Sequence, residues 1–195
     1  PGHPSETAAG NVDQNGTTEV HVAWVVALVL RDALRARGFE VLLTKQSESQ
    51  LVTNQERAEI GNRANAMVLV RLHCDASSDS GFAVYFPDRQ GTVAGVTGPS
   101  SDVITASRGA AQAIHASMAA LLERHLKDGG VRGDSRTLVG SRQGALTGSI
   151  YSRIPAVLVE MVTLSNARDA GFIKSETGQR VMGRANGDGV ADLRG

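Results

Sequence analysis

The chain has 195 residues, of which 41% are hydrophobic, so it is long and apolar enough to form one domain with a sizeable core. Its 20 Lys and Arg residues are balanced by 20 Asp and Glu residues, so no excess of positive charge indicates binding to nucleic acid or to an anionic membrane. A single cysteine excludes an internal disulfide framework and a cysteine-rich zinc site.

The first segment, residues 1–17, is rich in Pro, Gly, Ser, Asn and Asp, which predicts a loop. Its candidate metal ligand is His3, although a surface histidine is the simpler interpretation of that residue alone. No signal peptide is visible, and we expect that any leader, and a first strand with it, was removed or never included. The longest apolar run, residues 22–30, is too short to span a bilayer.

A long helix is predicted from Thr17 or Thr18 to about Arg37, with Gly38 after its end. Its apolar residues recur at helical spacing and form a wide stripe, so one side should pack against a sheet. Glu19 lies in the first turn, where the helix dipole favours a carboxylate. A structural role and a ligand role therefore both suit this residue.

Strands and helices alternate after this helix. Residues 39–44 are predicted to form a strand, and residues 53–66 a second helix. An apolar run of strand length, residues 67–70, follows at once. Helix, strand, helix, strand at such short spacing predicts right-handed crossovers and a mostly parallel sheet.

The strand that opens with residues 67–70 changes character at its carboxyl end, where it reads Arg71, Leu72, His73, Cys74, Asp75. Open α/β sheets usually place their chemistry where a buried parallel strand ends in polar side chains. His73 is therefore the centre of the predicted site, and it needs partners from other elements.

The second half of the chain is predicted to hold, in order, a short strand at 81–86, a long loop at 87–107, a helix at 108–126, a short strand at 146–151 and a buried strand at 155–160. The buried strand ends in Glu160. A last helix starts at Ser175 or Thr177, and its glycines predict weak helicity.

Four residues at strand ends and helix starts have the chemistry of a hydrolytic metal site: His3, Glu19, His73 and Glu160. Two imidazoles and one carboxylate make a three-ligand zinc site that leaves one coordination position open. Such a zinc ion lowers the pKa of a water to about 7 and polarises a carbonyl. A nearby base must also move the proton to the leaving nitrogen. Glu6 follows His3 at carboxypeptidase-like spacing and competes with Glu19 as the ligand, and we prefer Glu19 because a helix start fixes its side chain.

Several pieces occur in the order of one family and cover most of the chain: Pro1-Gly2-His3, Gly16-Thr17-Thr18-Glu19, Arg37-Gly38-Phe39-Glu40-Val41, Leu72-His73-Cys74-Asp75-Ala76, Ile154-Pro155-Ala156-Val157-Leu158-Val159-Glu160. With them the chain resembles the zinc-dependent N-acetylmuramoyl-L-alanine amidases of the amidase-3 group. In that family a strand runs directly into Pro-Gly-His, whereas nothing precedes Pro1 in the given sequence, so we expect the family's first strand to be missing here.

The resemblance implies one zinc ion bound by His3, Glu19 and His73, with Glu160 as the catalytic carboxylate. It implies hydrolysis of the amide between the muramic acid lactyl group and L-alanine of peptidoglycan, outside the cytoplasm. We expect a single α/β domain over residues 1–195, with five to six mostly parallel strands and helices on both faces. We further expect a monomer, no nucleic acid partner and no transmembrane segment. Arg71 is a possible substrate-binding residue, and a buried salt bridge is the equal alternative.

Three other interpretations stay open. A carboxypeptidase-like enzyme would use His3, Glu6 and His73 and would require a free peptide carboxyl end. A catalytically silent wall-binding domain would keep the fold and bind no zinc. A Cys74 nucleophile with His73 as base is disfavoured, because adjacent strand residues point to opposite faces. Cys74 is more simply a small buried residue.

Overall fold

The computed structural model describes residues 17–195. His3, Glu6 and the rest of the predicted N-terminal loop up to Gly16 lie outside the described residues. The described part is an α/β fold, as the sequence predicts, and in it a four-stranded sheet is flanked by helices.

Seven α-helices occur in residues 17–195: α1 Glu19–Arg35, α2 Asn54–Ala64, α3 Ser101–Leu122, α4 Leu138–Gln143, α5 Thr147–Ile150, α6 Ala167–Lys174, α7 Glu176–Ala191. The predicted capping residues begin the first two. The Thr18 hydroxyl accepts a hydrogen bond from the His21 amide at 3.1 Å, and Thr53 and Glu56 form a reciprocal capping box.

The strands in the same part of the chain are β1 Leu69–Asp75, β2 Phe82–Phe86, β3 Gly91–Val93, β4 Val96–Gly98, β5 Asp128–Gly133, β6 Ala156–Thr163. The main sheet has the order β1-β6-β2-β5, and β3 and β4 form a separate hairpin. β1 is parallel to β6, and β2 is parallel to β5, whereas β2 and β6 are antiparallel. The sheet is therefore mixed, and its four described strands are fewer than the five to six expected.

One predicted loop and one predicted strand have a different secondary structure from the one expected. Within the expected loop 87–107, β3 and β4 are joined by a tight turn in which Ala94 and Gly95 both have positive φ, and α3 already begins at Ser101. Residues 146–151 form the one-turn helix α5 and not a strand. The Asp134 carboxylate accepts hydrogen bonds from the Leu146 amide at 3.1 Å and the Ser149 hydroxyl at 2.8 Å, which holds this turn in place.

The last helix is well formed despite its glycines, so the expectation of weak helicity was wrong. A Cβ at Gly183 would lie 2.6 Å from Val29 of α1, and a Cβ at Gly189 would lie 2.4 Å from the Ile114 backbone of α3. Glycine lets α7 approach both helices closely and bury its surface in the main core. Tertiary packing thus outweighs the poor helix propensity.

The segment 39–44, predicted to be a strand, pairs with no strand in residues 17–195. A cavity of about 780 Å³ separates it from β1, the edge strand of the sheet. The sequence pattern is that of a strand, but a strand also needs a hydrogen-bonded neighbour, and none borders this segment in the described part of the chain.

Candidate active site

β1 and β6 bring His73 and Glu160 to the same rim of the sheet. The two strands are parallel, and His73 is the direct register partner of Glu160. Because residues paired in this way point to the same face of a sheet, the imidazole and the carboxylate lie next to each other. The two strand ends singled out in the sequence therefore meet in space.

Helix α1 delivers Glu19 to the same rim. Its Oε1 atom lies 2.7 Å from Nδ1 of His73 and accepts a hydrogen bond from the Cys74 amide at 3.2 Å. The residue is 8% exposed, so the helix start and these two contacts fix the carboxylate against β1. Burial lowers the pKa of His73, and the hydrogen bond that the imidazole donates to Glu19 opposes that shift. The neutral imidazole, which is the form that binds a metal, is thus favoured.

Glu160 is a buried carboxylate without a hydrogen-bond partner. It is 4% exposed, and neither of its oxygens finds a donor within residues 17–195. Burial, together with the nearby Glu19 and Asp75 carboxylates, raises the pKa of Glu160 to about 8. Native chains rarely leave such a group unsatisfied, and a carboxylate of this kind is chemically suited to proton transfer or to binding a cation.

The described residues supply two of the three predicted metal ligands. Glu19 and His73 are in contact and offer a carboxylate and an imidazole, a donor pair that suits zinc. Residues 17–195 contain no group of three or more His, Cys, Asp or Glu side chains that would hold a metal ion. The third predicted ligand, His3, lies outside this range. The donor pair and the unpartnered Glu160 fit a metal that takes another ligand from elsewhere.

Arg71 lies on the face of β1 that carries His73, two residues before it. It is 8% exposed and donates from Nη2 to Asn54 at 3.0 Å, whereas its Nε and Nη1 have no hydrogen-bond partner in the described residues. Burial lowers the pKa of Arg71 to about 10, which leaves the group charged at neutral pH. No carboxylate of residues 17–195 lies within ion-pair distance, so the predicted salt bridge is not formed there.

Two ionisable residues near Arg71, one buried and one half-buried, were missed by sequence reasoning. The Asp134 carboxyl is 1% exposed, and burial raises its pKa to about 6. Arg57 is half-buried in α2, and burial lowers its pKa. Both are surrounded by other loop and helix residues, and no spacing or flanking pattern in the sequence distinguishes them from surface charges.

Cys74 lies in the main core and is fully buried, on the sheet face opposite to that of His73. Burial raises the pKa of its thiol well above the ordinary value. The prediction that Cys74 is a small core residue agrees with this position, and a thiolate nucleophile does not.

Comparison with known proteins identifies the family to which this chain is similar. The N-acetylmuramoyl-L-alanine amidase family of the amidase-3 type matches residues 1–192. The curated N-acetylmuramoyl-L-alanine amidase Rv3717 of Mycobacterium tuberculosis is 28% identical over 189 residues, which is 94% of this chain and 72% of that protein.

Solved structures of amidases share the fold. The amidase Ami1 of Mycobacterium smegmatis superposes with a TM-score of 0.80 at 22% identity, over 95% of this chain and 81% of its own. The amidase AmiC2 of Nostoc punctiforme superposes with a TM-score of 0.74 at 21% identity, over 94% of this chain and 88% of its own. Among the helices of residues 17–195, none has the length and apolarity to cross a bilayer. The match along nearly the whole chain shows that this protein belongs to the amidase-3 family of N-acetylmuramoyl-L-alanine amidases.

Proposed function

We propose that this chain is a zinc-dependent hydrolase of the amide bond between N-acetylmuramic acid and L-alanine in peptidoglycan. Membership of the amidase family over residues 1–192 supports peptidoglycan amidase activity. The single observation that supports the rest is the buried, unpartnered carboxylate of Glu160 beside the contacting pair His73 and Glu19.

His3, Glu19 and His73 would hold one zinc ion per chain. When bound, the ion would supply charge that polarises the amide carbonyl and makes a water more acidic. Glu19 orients the His73 ring through the 2.7 Å contact, and burial favours the neutral imidazole. The three side chains come from a helix start, a strand end and the N-terminal segment, so the sheet rim would organise the site.

Glu160 would move the proton of the reaction. It would accept a proton from the attacking water and pass it to the amide nitrogen as the carbon–nitrogen bond breaks. The products would be a lactyl carboxylate and the amino group of the stem peptide. A carboxyl whose pKa lies near neutral can serve as base and then as acid, and burial gives Glu160 this property.

For Arg71 we retain the role of a cation that attracts a carboxylate. The carboxylate that it attracts would belong to the wall polymer, and it would have to reach the Arg71 side chain in a residue that is 8% exposed. We further propose that residues 1–195 form one catalytic domain that acts outside the cytoplasm as a monomer.

The test combines metal analysis with hydrolysis of a purified muropeptide. The wild-type chain should bind about one zinc and release the intact stem peptide. His73→Ala should lose the metal and the activity. Glu160→Gln should keep the metal and lose about 10²- to 10⁴-fold in turnover. His115→Ala is the matched control, because that imidazole, on α3, pairs with Asp128 of β5 and with none of the predicted site residues.

Each alternative predicts a different result. Cleavage that requires a free peptide carboxyl end would favour the carboxypeptidase-like enzyme. Wall binding with neither zinc nor turnover would favour the silent binding domain. Unchanged turnover in Glu160→Gln would remove Glu160 from the mechanism.

A further inference from the structure

The order of the strands sets the direction in which the substrate lies across the sheet. β1 carries His73, its neighbour β6 carries Glu160, and β2 and β5 follow on the side away from β1. In the proposed mechanism the amide carbonyl lies at the His73 side, and Glu160 passes a proton to the amide nitrogen. The leaving stem peptide therefore continues from Glu160 over β2 towards β5.

Small residues form the floor along this path. Ala83 of β2 is the register partner of Glu160 and lies on the same face of the sheet. On β5 the next position is Gly129, where an added Cβ would lie 3.2 Å from the Cβ of Ala83. These residues and Glu160 line a recess of about 20 Å³. A space of this size admits one small polar group, such as the end of a carboxylate.

A β-bulge places Arg132 at this recess. β2 and β5 lose their register at Gly129 and Gly130, where two residues of β5 face Ala83 alone and Gly130 has a positive φ of 77°. Bulges of this kind re-aim side chains next to active sites. Arg132 is the register partner of Tyr85, which follows Ala83 by two residues. The Arg132 side chain therefore leaves the sheet on the face that carries Glu160.

The Arg132 guanidinium is held in place by neutral acceptors. Its Nε donates to the Gly129 carbonyl at 2.8 Å, and its Nη1 donates to the Tyr85 hydroxyl at 3.4 Å. Its Nη2 lies 3.2 Å from the position of a Cβ at Gly129, over the floor of the recess. This atom forms no hydrogen bond within residues 17–195. The guanidinium is thus fixed in orientation and retains N–H groups that a carboxylate can accept from.

The two aspartates at the recess have other partners. Asp79 accepts a hydrogen bond from Lys127 at 2.7 Å. Asp75 accepts one from the Ser77 hydroxyl at 2.6 Å. Across the described part of the chain, no carboxylate forms an ion pair with Arg132. A half-buried arginine of this kind, beside the path of the substrate, is suited to a carboxylate that arrives from outside.

We propose that Arg132 recognises a carboxylate on the second residue of the stem peptide, counted from the scissile amide, and makes the enzyme selective for stems in which that carboxylate is free. Two strand spacings, about 9.6 Å, separate β6 from β5. Two residues of extended peptide span about 7 Å, and the side chain adds the rest. Arg71 lies on β1, on the opposite side of Glu160, and is away from this path. The inference rests on the proposed function and names the part of the substrate that the site selects.

The test compares two muropeptides that differ in one group. In both, the second stem residue is D-glutamate linked through its γ-carboxyl, and the peptide carboxyl end is amidated. The α-carboxyl of that residue is free in one and amidated in the other. Wild type should hydrolyse the free acid with a kcat/KM about 10- to 100-fold higher. Arg132→Met should lose this preference because it slows hydrolysis of the acid alone.

Further variants separate recognition from folding. Arg132→Lys should retain part of the preference, because the charge remains while the planar fork is lost. Tyr85→Phe, which removes the Nη1 acceptor, should reduce the preference less than Arg132→Met does. Arg124→Met changes an exposed arginine after α3 and is the matched control, so it should keep the full preference. Unchanged hydrolysis of the amidated muropeptide by Arg132→Met shows that this variant is folded.

Four results would overturn the proposal. Equal hydrolysis of both muropeptides by wild type would show that the carboxylate is not recognised, although the proposed function would stand. An undiminished preference in Arg132→Met, or its loss in Arg71→Met instead, would assign the carboxylate to another residue. An equal loss of both activities in Arg132→Met would give Arg132 a general role and not a selective one. Hydrolysis of neither muropeptide by wild type would refute the proposed function, and this inference with it.

Discussion

The raised pKa of Glu160 predicts how the stability of the metal-free protein depends on pH. Its carboxyl is favoured in the protonated form in the folded chain, because burial penalises the charge. The stability that it contributes is therefore complete below the unfolded pKa of 4.5 and is lost as the pH rises through about 8. Unfolding free energy should fall by about 4 kcal/mol between about pH 5 and about pH 9 from this group alone.

Glu160→Gln removes the titration and leaves a side chain of the same shape. In urea unfolding with a chelator present, the variant should lack that loss of about 4 kcal/mol, so its advantage over wild type should grow with pH. Other titrating groups, such as Asp134, occur in both proteins and cancel in the difference. Glu123→Gln, which changes an exposed carboxylate after α3, is the matched control and should follow wild type.

The same experiment with zinc separates two roles of this carboxyl. A cation beside Glu160 favours its ionised form, so added zinc should flatten the loss at high pH in wild type. A constant free-energy difference between wild type and Glu160→Gln across the whole pH range, without metal, would refute the reasoning. It would mean that the carboxyl is already ionised in the folded protein at about pH 5.

Three further predictions test the packing of α7, a buried hydrogen bond and the burial of Cys74. Gly189→Ala should lower the unfolding free energy by about 1–3 kcal/mol, because its Cβ would meet the α3 backbone. Gly109→Ala, at an open helix position, should instead raise it by up to about 1 kcal/mol. If urea unfolding showed that Gly189→Ala stabilises the protein as much as Gly109→Ala does, the close packing of α7 would be contradicted. Ser107→Ala should cost about 1–3 kcal/mol in the same assay, because it leaves the Ala156 amide without its 2.9 Å partner, and an unchanged midpoint would argue against that bond. Cys74 should react with a thiol reagent only as fast as the protein unfolds, and rapid labelling of the folded protein would show that it is accessible.

The rim of the sheet was predictable because two local signals coincide there. β1 and β6 each show a buried apolar run that ends in a chemically active side chain, His73 or Glu160, and parallel strands place such ends together. The 2.7 Å contact of Glu19 with His73 was harder to foresee, because the sequence gives equal weight to a dipole role. The placement of Glu19 with the other three residues at strand ends and helix starts, and then the resemblance to amidases, favoured the ligand role.

The failures have a common physical cause, which is the influence of neighbours distant in sequence. Segment 39–44 has the pattern of a strand but no partner among the described residues. Residues 146–151 have a strand-like composition but turn into α5 around the buried Asp134 carboxylate. The glycines of α7 weaken an isolated helix but allow its close approach to α1 and α3. Local propensity cannot register any of these contacts.

The packing of α7 also sets the order in which this protein can fold. Helix α7, residues 176–191, packs against α1, residues 19–35, although the whole sheet lies between them in sequence. The main core therefore stays open until the last helix has been synthesised, and contacts that close such long loops slow the search for the native state. Until then the apolar faces of α1 and α3 are exposed to other unfolded chains, and such exposure favours aggregation.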